Sequence, residues 1–128
     1  MGRTLHYRTK QAVAPDELKA LERVVEKYNN EFEWRRERIK IWSSAGGPFP
    51  RGVVWGFTKV SDDAEAKRVL RAVKEMSKTT PELTWLVRDE GGLTGGGELV
   101  LKRGRAAGAG GLGDSNDNIC YHYRRERG

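Results

Sequence analysis

Two stretches of this chain end in the same residue pair and lead into the same kind of segment. TLHYRTK closes on Thr9-Lys10, and VVWGFTK closes on Thr58-Lys59. Behind each lies an acidic helix start and then an amphipathic run. Leu18, Leu21, Val24, Val25 and Tyr28 recur at helical spacing behind APDE, as do Ala66, Val69, Leu70, Val73 and Met76 behind SDDAE. In the second run Ser61 stands where an N-cap hydroxyl would accept an orphan backbone N–H. Asp62, Asp63 and Glu65 suit the positive end of that helix dipole and Lys74 and Lys78 the negative end, while Pro81 closes it from outside.

Each run is followed by an alternating segment. WRRERIKIW (34–42) predicts a strand with Ile39 and Ile41 on one face and Trp34, Arg36, Arg38, Lys40 and Trp42 on the other. LTWLVRD (83–89) alternates Leu83, Trp85 and Val87 against Thr84, Leu86 and Arg88. With SSAGGPFP as a connecting loop, the order is β-α-β twice over. That order points to an α+β, ferredoxin-like βαββαβ sandwich, an antiparallel sheet with two helices on one face. A rearranged α+β sheet is the alternative. GGLTGGG (91–97) reads as a turn and ELVLKRGR (98–105) as an extra strand hairpinned to the fourth. Residues 1–105 thus form one domain, and 106–128 form a Gly-rich linker (AAGAGGLGDSNDN) with a basic C-terminal segment (ICYHYRRERG) that either pairs on a sheet edge or stays loose.

The alternation also assigns faces. Ile39 and Ile41 belong under the helices, because the opposite side carries three cations that are costly to bury unpaired. Aligning Thr9 with Thr58 puts Leu5 and Tyr7 in phase with Val54 and Gly56, and His6 and Arg8 in phase with Trp55 and Phe57. The face without helices then gathers His6, Arg8, Trp34, Arg36, Arg38, Lys40, Trp42, Trp55, Phe57 and Lys59. Rings among cations suit single-stranded RNA or DNA, since bases stack on aromatic side chains while Arg and Lys follow the phosphates. The net charge of +6 favours a polyanionic partner.

RGVVWGF resembles the third-strand motif of RNA-recognition motif domains in Arg51-Gly52 and in its aromatic character, although the spacing of Trp55 and Phe57 departs from that pattern. The resemblance covers one strand. It implies the sandwich architecture and a sheet face that meets RNA. Two other uses of the face stay open. It could join two copies of the chain or hold another protein, or it could hold a small molecule or substrate near His6.

No motif specifies an enzyme, a metal or a cofactor. Cys120 and His122 sit at i, i+2, yet with His6 they make only three ligands, without zinc spacing. Asp89 and Glu90 read as a solvated hairpin turn. GGLTGGG lacks the lysine of a phosphate-binding loop, and GAGGLG lacks the strand–turn–helix setting of a dinucleotide site. A single cysteine, no apolar run of membrane length and no apolar core in MGRTLHYRTK together suggest a cytoplasmic protein with no membrane partner.

Overall fold

Both amphipathic runs are helices, and each buries the stripe that its spacing predicts. A computed structural model of the chain describes residues 3–90 and 97–107. Its elements are β1 (Arg3–Ala12), α1 (Pro15–Glu31), β2 (Trp42–Ser43), β3 (Val53–Val60), α2 (Asp63–Thr79), β4 (Trp85–Asp89), β5 (Leu99–Lys102) and β6 (Arg105–Ala107). The strands form one antiparallel sheet in the order β2-β3-β1-β4-β5-β6. This is an α+β fold with a six-stranded sheet and two helices. Leu21, Val24 and Tyr28 of α1 and Val69, Val73 and Met76 of α2 share one core with Leu5, Tyr7, Val54, Trp85, Val87, Leu99 and Leu101 of the strands. The period-2 alternation of the strands sends the intervening residues to the other side.

The second strand is much shorter than its alternation predicts. Only Trp42 and Ser43 pair with β3, opposite Trp55 and Val54. Residues 34–41 leave the sheet edge because other groups capture their backbone. The Asn29 amide accepts from Ile39 N–H and donates to Ile39 C=O, both at 2.9 Å. Glu65 accepts from Arg35 N–H at 2.7 Å, and Tyr7 Oη donates to Lys40 C=O at 2.8 Å. On the vacated edge of β3, Lys59 N–H donates to the Glu37 carboxylate at 3.1 Å. Ile39 is still buried, but Ile41 is only partly so.

Gly56 makes this detour sterically feasible. A Cβ there would collide with the Lys40 carbonyl oxygen and come within 2.6 Å of the Tyr7 ring. Tyr7 Oη also lies 2.7 Å from Thr58 Oγ1, so the Thr58 hydroxyl can donate to the phenol while the phenol donates to Lys40.

Four other expectations need correction. The cap of α2 is Asp62, whose carboxylate accepts from Glu65 N–H at 2.9 Å; Ser61 instead donates its backbone N–H to the Glu65 carboxylate at 2.8 Å. Burial pushes the Glu65 pKa up, but the bonds from Arg35 and Ser61 outweigh it and hold the group below the usual carboxylate range. Asp89 is no solvated turn residue. It is 2 % exposed and takes two hydrogen bonds from Arg3, which also reaches Asp63. The fourth strand begins at Trp85, two residues later than expected. The segment 98–105 is not one strand, because Arg103 and Gly104 both adopt positive φ, 55° and 82°, and fold β6 back onto β5. Such a two-residue turn matches the twist of a hairpin. β6 runs through Ala107, into the stretch read as linker; the remainder of that stretch and most of GGLTGGG lie outside the described residues.

Burial pushes the Tyr7 phenol up to about 12. A group whose folded pKa lies above its unfolded value of 10.0 contributes fully below that pH and loses its contribution as pH rises towards 12. We expect the fold to lose about 3 kcal/mol from this group across that window, at ~1.4 kcal/mol per pH unit. Denaturant titrations at stepped alkaline pH, with tyrosinate absorbance followed in parallel, check this. Tyr7→Phe should flatten the loss, although it lowers stability at neutral pH by leaving Lys40 C=O without its donor.

Candidate functional site

The antiparallel register sets the face opposite the helices in rows. Trp42 stands opposite Trp55, Trp55 opposite Arg8, Arg8 opposite Leu86 and Leu86 opposite Val100, so one row crosses five strands. A second row runs from Phe57 to His6 to Arg88. Directly opposed residues hold their Cβ atoms ~5 Å apart, which brings neighbouring rings into contact. The Trp42 and Trp55 centroids are 4.8 Å apart, Trp42 and Phe57 5.5 Å, and Trp55 and Phe57 6.3 Å.

The loop before β3 adds a fourth ring. Ser44 Oγ donates at 2.9 Å to Phe49 C=O and accepts from Gly46 N–H at 3.1 Å, which folds the loop over the sheet. Phe49 then lies 5.6 Å from Trp55. Cations attach to this cluster at two points. The Arg8 guanidinium is 5.6 Å from the Phe49 centroid, and Lys40 Nζ is 5.4 Å from Phe57 and 5.8 Å from Trp42. At such distances a cation is attracted by the ring quadrupole. His6, Arg8, Phe49, Trp55, Phe57 and Arg88 line a depression of about 270 Å³ that Leu86 and Glu98 complete. Trp42 is the most open ring, at 38 % exposure.

The electrostatics are mixed. Lys40 Nζ lies 3.3 Å from Glu37. Burial pushes the Glu37 pKa up, but the Lys59 N–H and the Lys40 ammonium outweigh it and hold the carboxyl below its usual range. His6 Nε2 lies 2.9 Å from Glu90 Oε2, and this bond keeps Glu90 ionised below its ordinary pKa. Among the described residues no hydroxyl or thiol bonds to the His6 ring, whose partner is the Glu90 carboxylate. Among the described residues, no group of three His, Cys, Asp or Glu side chains could hold a metal ion. No helix among them is long and apolar enough to cross a membrane.

Of the predicted face residues, His6, Arg8, Lys40, Trp42, Trp55 and Phe57 come together here. Lys59 is exposed one step further along β3, opposite Thr4. Trp34 does not belong to the face. Its indole N–H donates to Tyr28 C=O at 3.3 Å, its ring meets Phe32 edge-on, and Arg68 of α2 lies over both rings. Arg36 and Arg38 are exposed on the detour, with Arg38 beside Glu22 and Glu26 of α1 rather than on the sheet. Cys120 and His122 lie outside the described residues.

Phe49, Leu86 and Arg88 belong to the face and were not singled out from sequence. The alternation of 83–89 already placed Leu86 and Arg88 together, opposite Trp85 and Val87. Phe49, between two prolines in a glycine-bearing loop, carried no periodic signal. Comparison with protein-family models finds no match to this chain, and neither does comparison with curated proteins or with solved structures.

The His6–Glu90 pair makes a local test. His6→Ala should raise the Glu90 pKa towards the ordinary carboxylate range, since the bond that favours the charged form is gone. A carboxyl NMR titration of both proteins reads this; an unmoved Glu90 would mean that the pair does not form in solution.

Proposed function

We propose that this chain binds single-stranded nucleic acid, RNA or DNA, on the aromatic face of a ferredoxin-like sheet. Three features support the sandwich part of the reading: the core order β2-β3-β1-β4, its antiparallel pairing, and two helices on one side. β5 and β6 extend that sheet beyond four strands. The observation that carries the functional part is the row Trp42–Trp55–Arg8, with Phe57 and His6 beside it. It offers π-faces next to cations on a surface that neither described helix covers. A base can stack on Trp42, the most open ring, while Arg8 and Arg88 and, at the edge, Lys59 meet backbone phosphates. A cytoplasmic location goes with the same reading.

The apolar members of that row, Trp42 and Trp55 on one side of Arg8 and Leu86 and Val100 on the other, favour a second use, in which two copies of the chain pack sheet to sheet. Exposed apolar surface of this kind commonly marks an interface.

One titration separates the two. Tryptophan fluorescence should be quenched saturably by a mixed-sequence single strand at low salt. Trp42→Ala should weaken binding by ~1–3 kcal/mol with little change in salt dependence. Arg88→Gln should weaken it less and reduce the log–log salt slope by roughly 0.7. No saturable quenching at low salt, with a dimer by sedimentation that Trp42→Ala dissociates, would overturn nucleic-acid binding in favour of self-association.

A further inference from the structure

A second cleft lies away from the aromatic face, on the helix side of the sheet. It measures about 710 Å³ and is lined by Arg71, Lys74 and Lys78 of α2, Arg103 and Arg105 of the β5–β6 hairpin, and Glu75. Two separate elements therefore aim cations into one hollow. Their approach is fixed by buried groups. Ser77 is 0 % exposed, donates its hydroxyl to Lys74 C=O at 2.8 Å and accepts from Gly104 N–H at 2.7 Å. That bond ties the hairpin turn to the last turns of α2. Gly104 is needed there, because a Cβ would run into the Lys78 side chain and φ is +82°.

Among the described residues that line the cleft, Glu75 is the one carboxylate, and it is already engaged. Lys27 Nζ lies 3.2 Å from it, and the buried Tyr28 hydroxyl also bonds to it. Cations near the C-terminus of α2 complement its dipole, which accounts for Lys78. The dipole does not account for Arg103 and Arg105, which arrive from the hairpin. Cations converging on one hollow from two elements give it a positive potential that attracts an anion.

The geometry also bears on the anion. From Arg71 to Lys78 the helix rises ~10 Å, at ~1.5 Å per residue. A single phosphate cannot reach along such a wall. A linear ligand with several closely spaced phosphates can, with guanidinium groups on both sides for bidentate contacts. We propose that this cleft binds a linear oligophosphate group, held between the Arg71–Lys78 face of α2 and the Arg103 and Arg105 side chains.

The probe is inorganic tripolyphosphate, titrated calorimetrically into the full chain at low ionic strength. We expect saturable binding at one site per chain, weakening as salt is added. The double variant Arg71→Gln/Arg103→Gln should bind at least about tenfold more weakly, as loss of charge-assisted bonds implies. All three residues mutated in the test and its control are exposed, and circular dichroism checks that the fold is kept. Lys19→Gln, on the exposed side of α1, is the control and should leave affinity unchanged. A mixed-sequence DNA single strand added to the loaded protein then identifies the source. Displacement of tripolyphosphate assigns the phosphates to a nucleic-acid backbone, and retention assigns them to a free oligophosphate. Absence of saturable heat, or equal affinity in the double variant and Lys19→Gln, would overturn the site.

Discussion

The Tyr7 hydroxyl is the point on which this arrangement turns. It sits inside the core of the sheet, beside Thr58, and reaches the Lys40 carbonyl across a space that Gly56 leaves empty. That contact draws the chain off the edge of β3 after α1 and then releases it to pair at Trp42. The Lys40 backbone is held on the helix side, whereas its side chain reaches around the edge to Phe57 and Trp42. Had the strand continued along the edge, Trp34 would have joined the outer face. Instead it closes the far end of the helix layer under Arg68.

The parts of the fold legible in the sequence are those governed by one periodicity. The 3.6-residue stripes of both helices and the two-residue alternation of β1, β3 and β4 needed only local pattern, and each places its side chains where the core requires them. The segment 34–42 has an equally clean alternation, yet it is not a strand along most of its length. What displaced the ladder was distant: Asn29, Glu65 and Tyr7 supply the bonds that an edge pairing would have made. Such competition between side chains and a ladder is invisible to a periodicity argument. The Arg103-Gly104 turn was missed for a different reason, since arginine is an unusual residue at positive φ. Asp89 looked solvated because its partner, Arg3, lies at the other end of the domain in sequence.

The candidate face was half legible. His6, Arg8, Trp55 and Phe57 followed from aligning two Thr-Lys pairs, and the antiparallel register then set them side by side. Phe49 comes from a loop whose path depends on Ser44, and nothing in its spacing marks it. Charge is distributed unevenly between the two sides of the sheet. On the aromatic side, cations are interleaved with Glu37, Glu90 and Glu98, so rings rather than charge dominate. The cleft on the helix side is the reverse: its described lining residues include five cations, one engaged carboxylate and a single ring, Tyr28. The net charge of +6 is therefore a poor guide to which surface meets a ligand.

That the aromatic rows are the surface that meets a ligand is tested most directly by mapping the contact. Side-chain and backbone NMR signals would be followed during addition of a mixed-sequence single strand. The indole N–H signals of Trp42 and Trp55 and the ring signals of Phe57 and His6 should move most, while those of Trp34 and Trp85, packed on the helix side, should stay in place. Unmoved Trp42 and Trp55 signals at saturating strand, or shifts confined to the helices, would contradict it.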